Sequence, residues 1–433
     1  MLRQADRRVP GDPERGWWGG RWVSRHLGIA LEPTGGVDPR TLVGLAVRRN
    51  PRRAHLLVST VLGKYLPAPP RVVHGAAVAL ARRVREHLGA RSTTVLGYAE
   101  TATALGHVVA DVLDAPYAHS TRRSLSGAAP WACFDEPHSH APAHHLLPAA
   151  SDVLATDAPL VLVDDELSTG TTVMNTITAL HERCPRAHYL VAVLVDVRSA
   201  LDQQRLCQRV AALGARLDVV ALARGAIELP DDVLARAAAL VARSEERVRV
   251  PAARHPRDAL HRVELAWPVG VPESGRHGFL PEHRRRLAAA LPALAERVSR
   301  TVTGPRVLVL GCEELMYLPL RLAMALPPLL PRGSAVLTAA TARSPILVVD
   351  EPGYPVRSGL AFPAHGGSTD AVGERYVYNV AASPADNTFD DIVVVVDEDA
   401  DTPALHAPGG LLGQLRGLCG RVTLVVLPCY RAR

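Results

Sequence analysis

Leu160-Val161-Leu162-Val163-Asp164-Asp165-Glu166-Leu167-Ser168-Thr169-Gly170-Thr171-Thr172 joins a short apolar run to a pair of carboxylates and then to a turn rich in hydroxyls. Leu160 to Val163 has the continuous apolar character of a strand buried on both faces of a parallel sheet. Beyond the turn, Thr176, Ile177 and Leu180 recur at helical spacing. The segment therefore predicts a strand that feeds the N-terminus of a helix. Ser168, Thr169, Gly170, Thr171 and Thr172 bring backbone N–H groups and hydroxyls to the positive end of that helix, with one glycine permitting close approach. Such a turn suits a phosphate dianion. Asp164 and Asp165 stand at the carboxyl end of the strand, where open α/β sheets bind ligands. Two acids beside a phosphate cradle fit a ligand that also carries a vicinal diol and travels with a divalent cation.

Working outward, Ser92 to Asp114 reads as strand, loop and amphipathic helix, with Ala104, Leu105, Val108, Val109 and Val112 on one face. A second strand, Pro116 to Ser120, runs into Thr121-Arg122-Arg123. Arginines on a loop are commonly solvated charge, although their fork of donors also matches phosphate oxygens. Ser124 to Pro148 shows neither helical nor strand period and holds Trp131, Phe134, Asp135, Glu136, His138, His140, His144 and His145. A loop of that length inside a compact domain reads as a lid or an insert. Its histidines suit proton transfer or substrate contact at neutral pH. His138 and His140 alternate and would share a face in extended chain, and His144 or His145 could add a ligand, so a zinc site and plain surface histidines remain open as well.

The stretch LVLVDDELSTGTT resembles the motif by which type I phosphoribosyltransferases bind 5-phosphoribosyl-1-pyrophosphate (PRPP), with Glu166 as a third acid where most of that superfamily has an apolar or small residue. Asn50-Pro51-Arg52-Arg53-Ala54, Gly63-Lys64-Tyr65-Leu66-Pro67 and the EPHSHA stretch resemble one branch, the orotate-phosphoribosyltransferase-like domain of tellurite-resistance and stress gene clusters. In that branch a second domain follows, named for a Thr-Arg-Ser-Pro motif. Here Thr341-Ala342-Arg343-Ser344-Pro345 keeps its Arg-Ser-Pro core, and Gly311 to Pro319, Gly353-Tyr354-Pro355 and Arg375 to Asn379 resemble further segments of it.

The resemblance implies an α/β fold: an N-terminal type I phosphoribosyltransferase-like parallel sheet with helices on both faces and a lid loop, then a second α/β domain. It implies an enzyme that exchanges the pyrophosphate of Mg²⁺-PRPP for a nitrogenous base or related nucleophile, or runs the reverse, in stress-linked nucleotide-like metabolism. Mg²⁺ would be held mainly through PRPP, with no dedicated metal ligands. Asp164 and Asp165 would hold the ribose hydroxyls, and Ser168, Thr169, Gly170, Thr171 and Thr172 the 5-phosphate. Tyr98, Ala99, Glu100 and Thr101, with Arg122 and Arg123, would hold pyrophosphate, and Glu136, His138 and His140 are the expected catalytic lid residues. The alternative is a non-catalytic sensor of PRPP or a nucleotide, and the resemblance leaves a homodimer open.

The second half also reads as α/β from its residues. Arg306 to Leu310 is a strand, Gly311 and Cys312 turn the chain, and Glu313 and Glu314 occupy the first turn of a helix bearing Leu315, Leu318, Leu322 and Ala325. Acids there cap a helix dipole without any function, yet the loop lies at a strand's carboxyl end. Ile392 to Val396 ends likewise in Asp397-Glu398-Asp399. Glu313, Glu314, Arg343 and Ser344 form a second candidate site.

A chain of 433 residues exceeds one usual core. The expected organisation is a mobile tail over residues 1–24, a PRPP-binding domain over 25–241 with strands near 55, 93, 117, 160, 188 and 216, a linker over 242–262 and a second domain over 263–433. Trp17, Trp18 and Trp22 are candidates to dock the tail. The formal charge of +6 favours phosphorylated substrates, but without a basic stripe interleaved with aromatics nucleic acid is not an expected partner. Six cysteines without CxxC pairing suggest a reduced, cytoplasmic setting, and no apolar stretch has the length of a membrane span.

Overall fold

The computed structural model describes residues 18–50, 52–123, 130–136, 143–149, 153–245, 260–366, 373–381 and 389–429. Two sheets organise them. The first has the order β1 (Ala30–Gly36), β10 (Arg216–Glu228), β9 (His188–Asp196), β8 (Leu160–Leu167), β4 (Thr94–Gly97), β5 (Tyr117–His119). All its neighbours run parallel except β1, which pairs antiparallel with β10 at one edge. The second, wholly parallel, has the order β11 (His261–Glu264), β17 (Arg421–Leu427), β16 (Asp391–Asp397), β12 (Arg306–Gly311), β13 (Ala335–Ala340). Three antiparallel ribbons complete the strands: β2 (Val43–Val47) with β3 (His55–Ser59), β6 (Ala132–Asp135) with β7 (Ala143–Leu146), and β14 (Gly359–Pro363) with β15 (Glu374–Tyr378).

The pleat sorts the apolar residues of β8 and β9 onto two faces. Val161, Val163, Leu190 and Ala192 share a core with α2 (Pro70–Leu88) and α3 (Thr103–Leu113), whereas Leu160, Leu162, Val191 and Val193 pack with α4 (Thr171–Arg183) and α5 (Ala200–Ala212). The remaining helices are α1 (Arg21–Leu27), α6 (Val233–Glu245), α7 (Pro281–Ser299), α8 (Tyr317–Ala325), α9 (Pro403–His406) and α10 (Leu411–Leu415). The first of these cores continues into the second unit through Leu287, Leu294, Leu318, Leu322, Val307 and Val309. Among the described residues, no helix is long and apolar enough to cross a membrane.

Several boundaries differ from the sequence reading. The strand near 55 is not part of the main sheet, because β3 spends its hydrogen bonds on β2 and the edge goes to β1 instead. The stretch read as a tail runs into the first half of α1, whose Trp22 is buried and donates from Nε1 to Glu351 Oε2 at 2.9 Å, while Trp18 Nε1 reaches Val43 O at 2.9 Å. Residues 246–259 of the expected linker lie outside the described residues. Chain beyond β11 then returns to the first sheet: Tyr117 and Phe279 exchange backbone hydrogen bonds of 2.9 and 2.7 Å, and His119 N–H reaches Gly275 O at 3.0 Å. Glycine is needed at 275, since a Cβ there would stand 2.3 Å from the Tyr117 ring.

The seam between the units carries buried charge. Arg276, 2% exposed, lies among Glu273, Glu314 and Asp397, with Nε 2.7 Å from Glu314 Oε1. Arg123 Nη1 adds a 2.6 Å contact to Asp397. Removing one member of a buried ion network strands its partners' charge at a cost of about 3–5 kcal/mol. Arg276→Met is accordingly expected to lower unfolding free energy by about 3 kcal/mol or more, measured by urea denaturation. A loss near zero would show that the seam is not held by these charges.

Candidate functional site

β8 runs past its acids, so Asp164, Asp165 and Glu166 project from the carboxyl half of a central strand. The chain then bends through Ser168 and Thr169, and Gly170 adopts φ +81° immediately before α4. That left-handed geometry favours glycine, and a Cβ would also stand 2.8 Å from Leu206 Cδ2. Thr169 Oγ1 lies 3.0 Å from Thr171 Oγ1 and accepts the Thr171 N–H at 3.3 Å. Asp164, Asp165, Ser168, Thr169, Gly170, Thr171 and Thr172 all line one pocket, as do Tyr98, Ala99, Glu100 and Thr101 from the turn after β4.

Asp164 and Asp165 are half-buried, and among the described residues no Lys, Arg or His forms an ion pair with either. Burial and the neighbouring Asp165 raise the Asp164 carboxyl well above its ordinary range. Burial and the Glu166 charge push Asp165 up to about 7. Glu166 itself is paired, with Oε1 at 2.5 Å from Arg53 Nη2. Asp165 N–H donates to Asp164 Oδ1 at 3.0 Å, and among the described residues no cation pairs with either acid, so the pair can take positive charge or hydroxyl donors.

A chain of hydrogen bonds links the turn after β4 to the β6–β7 ribbon. Ala99 N–H donates to Ser120 Oγ at 3.0 Å, and Ser120 Oγ stands 2.9 Å from His144 Nδ1. His144 Nε2 lies 3.4 Å from Glu136 Oε2, which Arg122 also grips. One tautomer satisfies the whole chain, with the serine hydroxyl donating to Nδ1 and Nε2–H donating to Glu136. Burial lowers His144 to about 4, so the ring is neutral at pH 7. Burial opposes ionisation of Glu136, but the His144 hydrogen bond and the Arg122 charge outweigh it and bring Glu136 down to about 2.

The second unit supplies part of the same wall. Arg343 and Ser344 line the pocket, brought there because Arg48 and Ile346 form an antiparallel bridge beyond β2 and Arg49 N–H donates to Pro345 O at 3.0 Å. Arg343 Nε lies 2.5 Å from Glu100 Oε1 and its Nη2 2.8 Å from Glu313 Oε2. Lys64 Nζ bridges the same pair, at 3.2 Å from Glu100 Oε2 and 2.9 Å from Glu313 O. Ser344 Oγ accepts from Arg48 Nη2 at 3.1 Å.

Some expectations need correction. Arg123 does not line the pocket; it is buried and turned onto Asp397 at the seam, where an isolated guanidinium would be costly. Glu313 and Glu314 form no separate site either. Both are buried and satisfied by cations, Glu313 by Arg343 and Arg375 and Glu314 by Arg276, with Thr121 Oγ1 2.8 Å from Glu314 Oε2. Glu136 does line the pocket, whereas His138 and His140 lie outside the described residues. Arg48, Arg53, Tyr65, His144 and Glu166 also line it without having been assigned there from the sequence. Glu166 had a signal in its adjacency to the acid pair. Tyr65 lay in the Gly63 to Pro67 segment that carried the family resemblance, whereas Arg48 had no signal, since only the bridge from Arg48 to Ile346 brings it beside Ser344.

Residues 42–226 match the family described as phosphoribosyl transferase, and residues 273–415 match the TRSP domain that lies C-terminal to it. No curated protein sequence matches the chain. Similar solved structures include adenine phosphoribosyltransferase from Rhodothermus marinus, at 19% identity over 43% of this chain and 95% of that one, with a TM-score of 0.30. The enzyme from Giardia lamblia complexed with 9-deazaadenine shows 15% identity over 43% of this chain and 96% of that one, with a TM-score of 0.30. Orotate phosphoribosyltransferase from Aeropyrum pernix shows 21% identity over 40% of this chain and 80% of that one, with a TM-score of 0.24. With a parallel first sheet, an acid pair at the tip of its central strand and a second α/β unit closing the pocket, the chain belongs to the family in which a phosphoribosyl transferase domain is followed by a TRSP domain.

Proposed function

We propose that this protein is a phosphoribosyltransferase that binds Mg²⁺-PRPP and exchanges pyrophosphate for a nitrogenous nucleophile, or runs the reverse. The observation that carries the reading is the half-buried Asp164–Asp165 pair, which has no basic ion-pair partner among the described residues and faces the same pocket as the turn from Ser168 to Thr172. Carboxylates so placed accept hydrogen bonds from a vicinal diol, and the turn's N–H groups and hydroxyls suit the 5-phosphate. The same uncompensated acids fit a divalent cation arriving with the ligand, and Mg²⁺ so carried would neutralise charge on the leaving pyrophosphate.

Pyrophosphate would rest on Tyr98 to Thr101 and Arg122. Glu136 is ionised and neutral His144 is its donor, so this pair would orient Arg122 toward the leaving group rather than supply a proton. The barrier would fall through positioning and electrostatic stabilisation at the anomeric carbon. The second domain would act in the same reaction by bracing the pyrophosphate turn through Arg343 and Glu100.

Hydrogen bonds to charged groups contribute about 1.5–3 kcal/mol each, so Asp164→Asn with Asp165→Asn is expected to weaken Mg²⁺-PRPP binding by at least about tenfold in calorimetry. No heat with the unaltered protein would sink the proposal. Binding without pyrophosphate release across a panel of acceptors would favour a PRPP sensor.

The acid pair also sets a pH dependence. A carboxyl whose folded pKa is raised adds stability that is full below the unfolded value of 3.8 and is lost as pH rises through about 7. The Asn double variant should therefore gain Tm relative to the unaltered protein between pH 5 and 8, while affinity of the unaltered protein for Mg²⁺-PRPP rises over the same window. Equal pH profiles for the two proteins would contradict the assignment of the shift to these acids.

Arg343→Ala removes one of the two cations that hold Glu100 and leaves Lys64 as the other. Pyrophosphate affinity is expected to fall by about tenfold, the worth of roughly one charge-assisted contact, with ribose 5-phosphate affinity unchanged. An equal loss for both ligands would indicate general unfolding of the pocket instead.

A further inference from the structure

At the opposite end of the first sheet, three side chains from three elements converge. His87 lies in the last turn of α2, His188 opens β9, and Asp218 is the third residue of β10. His188 Nε2 stands 2.7 Å and His87 Nε2 2.9 Å from the same oxygen, Asp218 Oδ2. Among the described residues this is the one group of three such donors whose ligand atoms all lie within 4.8 Å of one another. Tyr189 pairs with Leu160 in the parallel register, so His188 sits level with the residue before β8 begins. Asp164 is five residues further along, a rise of about 16 Å at roughly 3.3 Å per residue. The cluster is therefore separate from the pocket.

We propose that His87, His188 and Asp218 form a site for a divalent transition-metal ion of the zinc type. Two imidazole nitrogens and a carboxylate oxygen are the ligand types that zinc takes, and a three-residue set leaves the fourth tetrahedral position for water. Water can reach it, since the His87 side chain is 35% exposed. Both histidines turn Nε2, an atom through which imidazole ligates a metal, toward the shared carboxylate oxygen. The donor atoms must separate by a few tenths of an ångström, which the exposed His87 side chain allows. Arg216 competes for the carboxylate, with Nη2 at 2.9 Å from Asp218 Oδ2, but its side chain is 65% exposed and free to swing away. A bound ion would tie α2 to two strands of the sheet.

The test uses the full chain, stripped of metal and titrated with Co²⁺, followed by competition with Zn²⁺. One equivalent of Co²⁺ is expected to give the visible absorption of a four-coordinate ion, displaced by Zn²⁺, and Zn²⁺ is expected to raise Tm by a few degrees. His87→Ala and His188→Ala should each weaken binding by more than about tenfold, since loss of even an outer-sphere partner costs that much. Arg216→Ala, at an exposed position that does not threaten folding, should tighten it. Absence of Co²⁺ binding, binding undiminished in both histidine variants, or weaker binding in Arg216→Ala would each overturn the site. Undiminished binding would place the metal elsewhere, for instance on the histidines of the lid. None of these outcomes bears on PRPP binding, which is read in a separate titration.

Discussion

The burial of opposite charges at the turn after β12 is the constraint on which the arrangement of the two units depends. Glu313 and Glu314 are both almost wholly buried, Glu313 answered by the guanidinium groups of Arg343 and Arg375 and Glu314 by that of Arg276. Unpaired, such carboxylates would be prohibitive in a low-dielectric seam. Paired, they hold Arg343, Arg375 and Arg276 in place, and through Arg343 they hold Glu100 in the pocket wall. Hydrophobic contact between α2, α3 and α8 supplies cohesion, but it is non-directional. The ion pairs supply the register.

A consequence is that the pocket is composite. The motif that characterises the second domain does not form a site of its own; Arg343 and Ser344 close the site that begins on β8. This gives a physical reason for the two domains to occur in one chain, since the first alone would lack a wall and leave Glu100 without its guanidinium partner. The hydrogen-bond chain from Ala99 through Ser120, His144 and Glu136 to Arg122 joins the opposite side of the pocket to the same turn. The turn is therefore braced from both domains.

How much of this was legible varies with the range of the interaction. Asp164, Asp165 and the residues from Ser168 to Thr172 are contiguous, and their strand, bend and helix follow from local pattern, so their place in the pocket could be read directly. Tyr98 to Thr101 were legible for the same reason. Arg122 and Arg123 are adjacent and alike in sequence, yet one enters the pocket and the other the seam. Nothing local distinguishes them, because the choice is made by Asp397, 274 positions away. Glu313 and Glu314 read as helix-capping acids or a ligand site, and the structure makes them the partners of distant arginines.

By itself, the sequence determined most of the elements, the β6–β7 ribbon excepted: apolar runs that form strands, periodic faces that form helices, and a hydroxyl turn with a glycine where φ is positive. Those depend on interactions within a few residues, which order along the chain encodes directly. Only the tertiary structure decided that Arg343 would meet Glu100 across 243 positions, that Arg48 would find Ser344, and that His87, His188 and Asp218 would converge. Buried charge can be stabilised by any suitably placed opposite charge, so the choice of partner rests on which surfaces the packed sheets bring together.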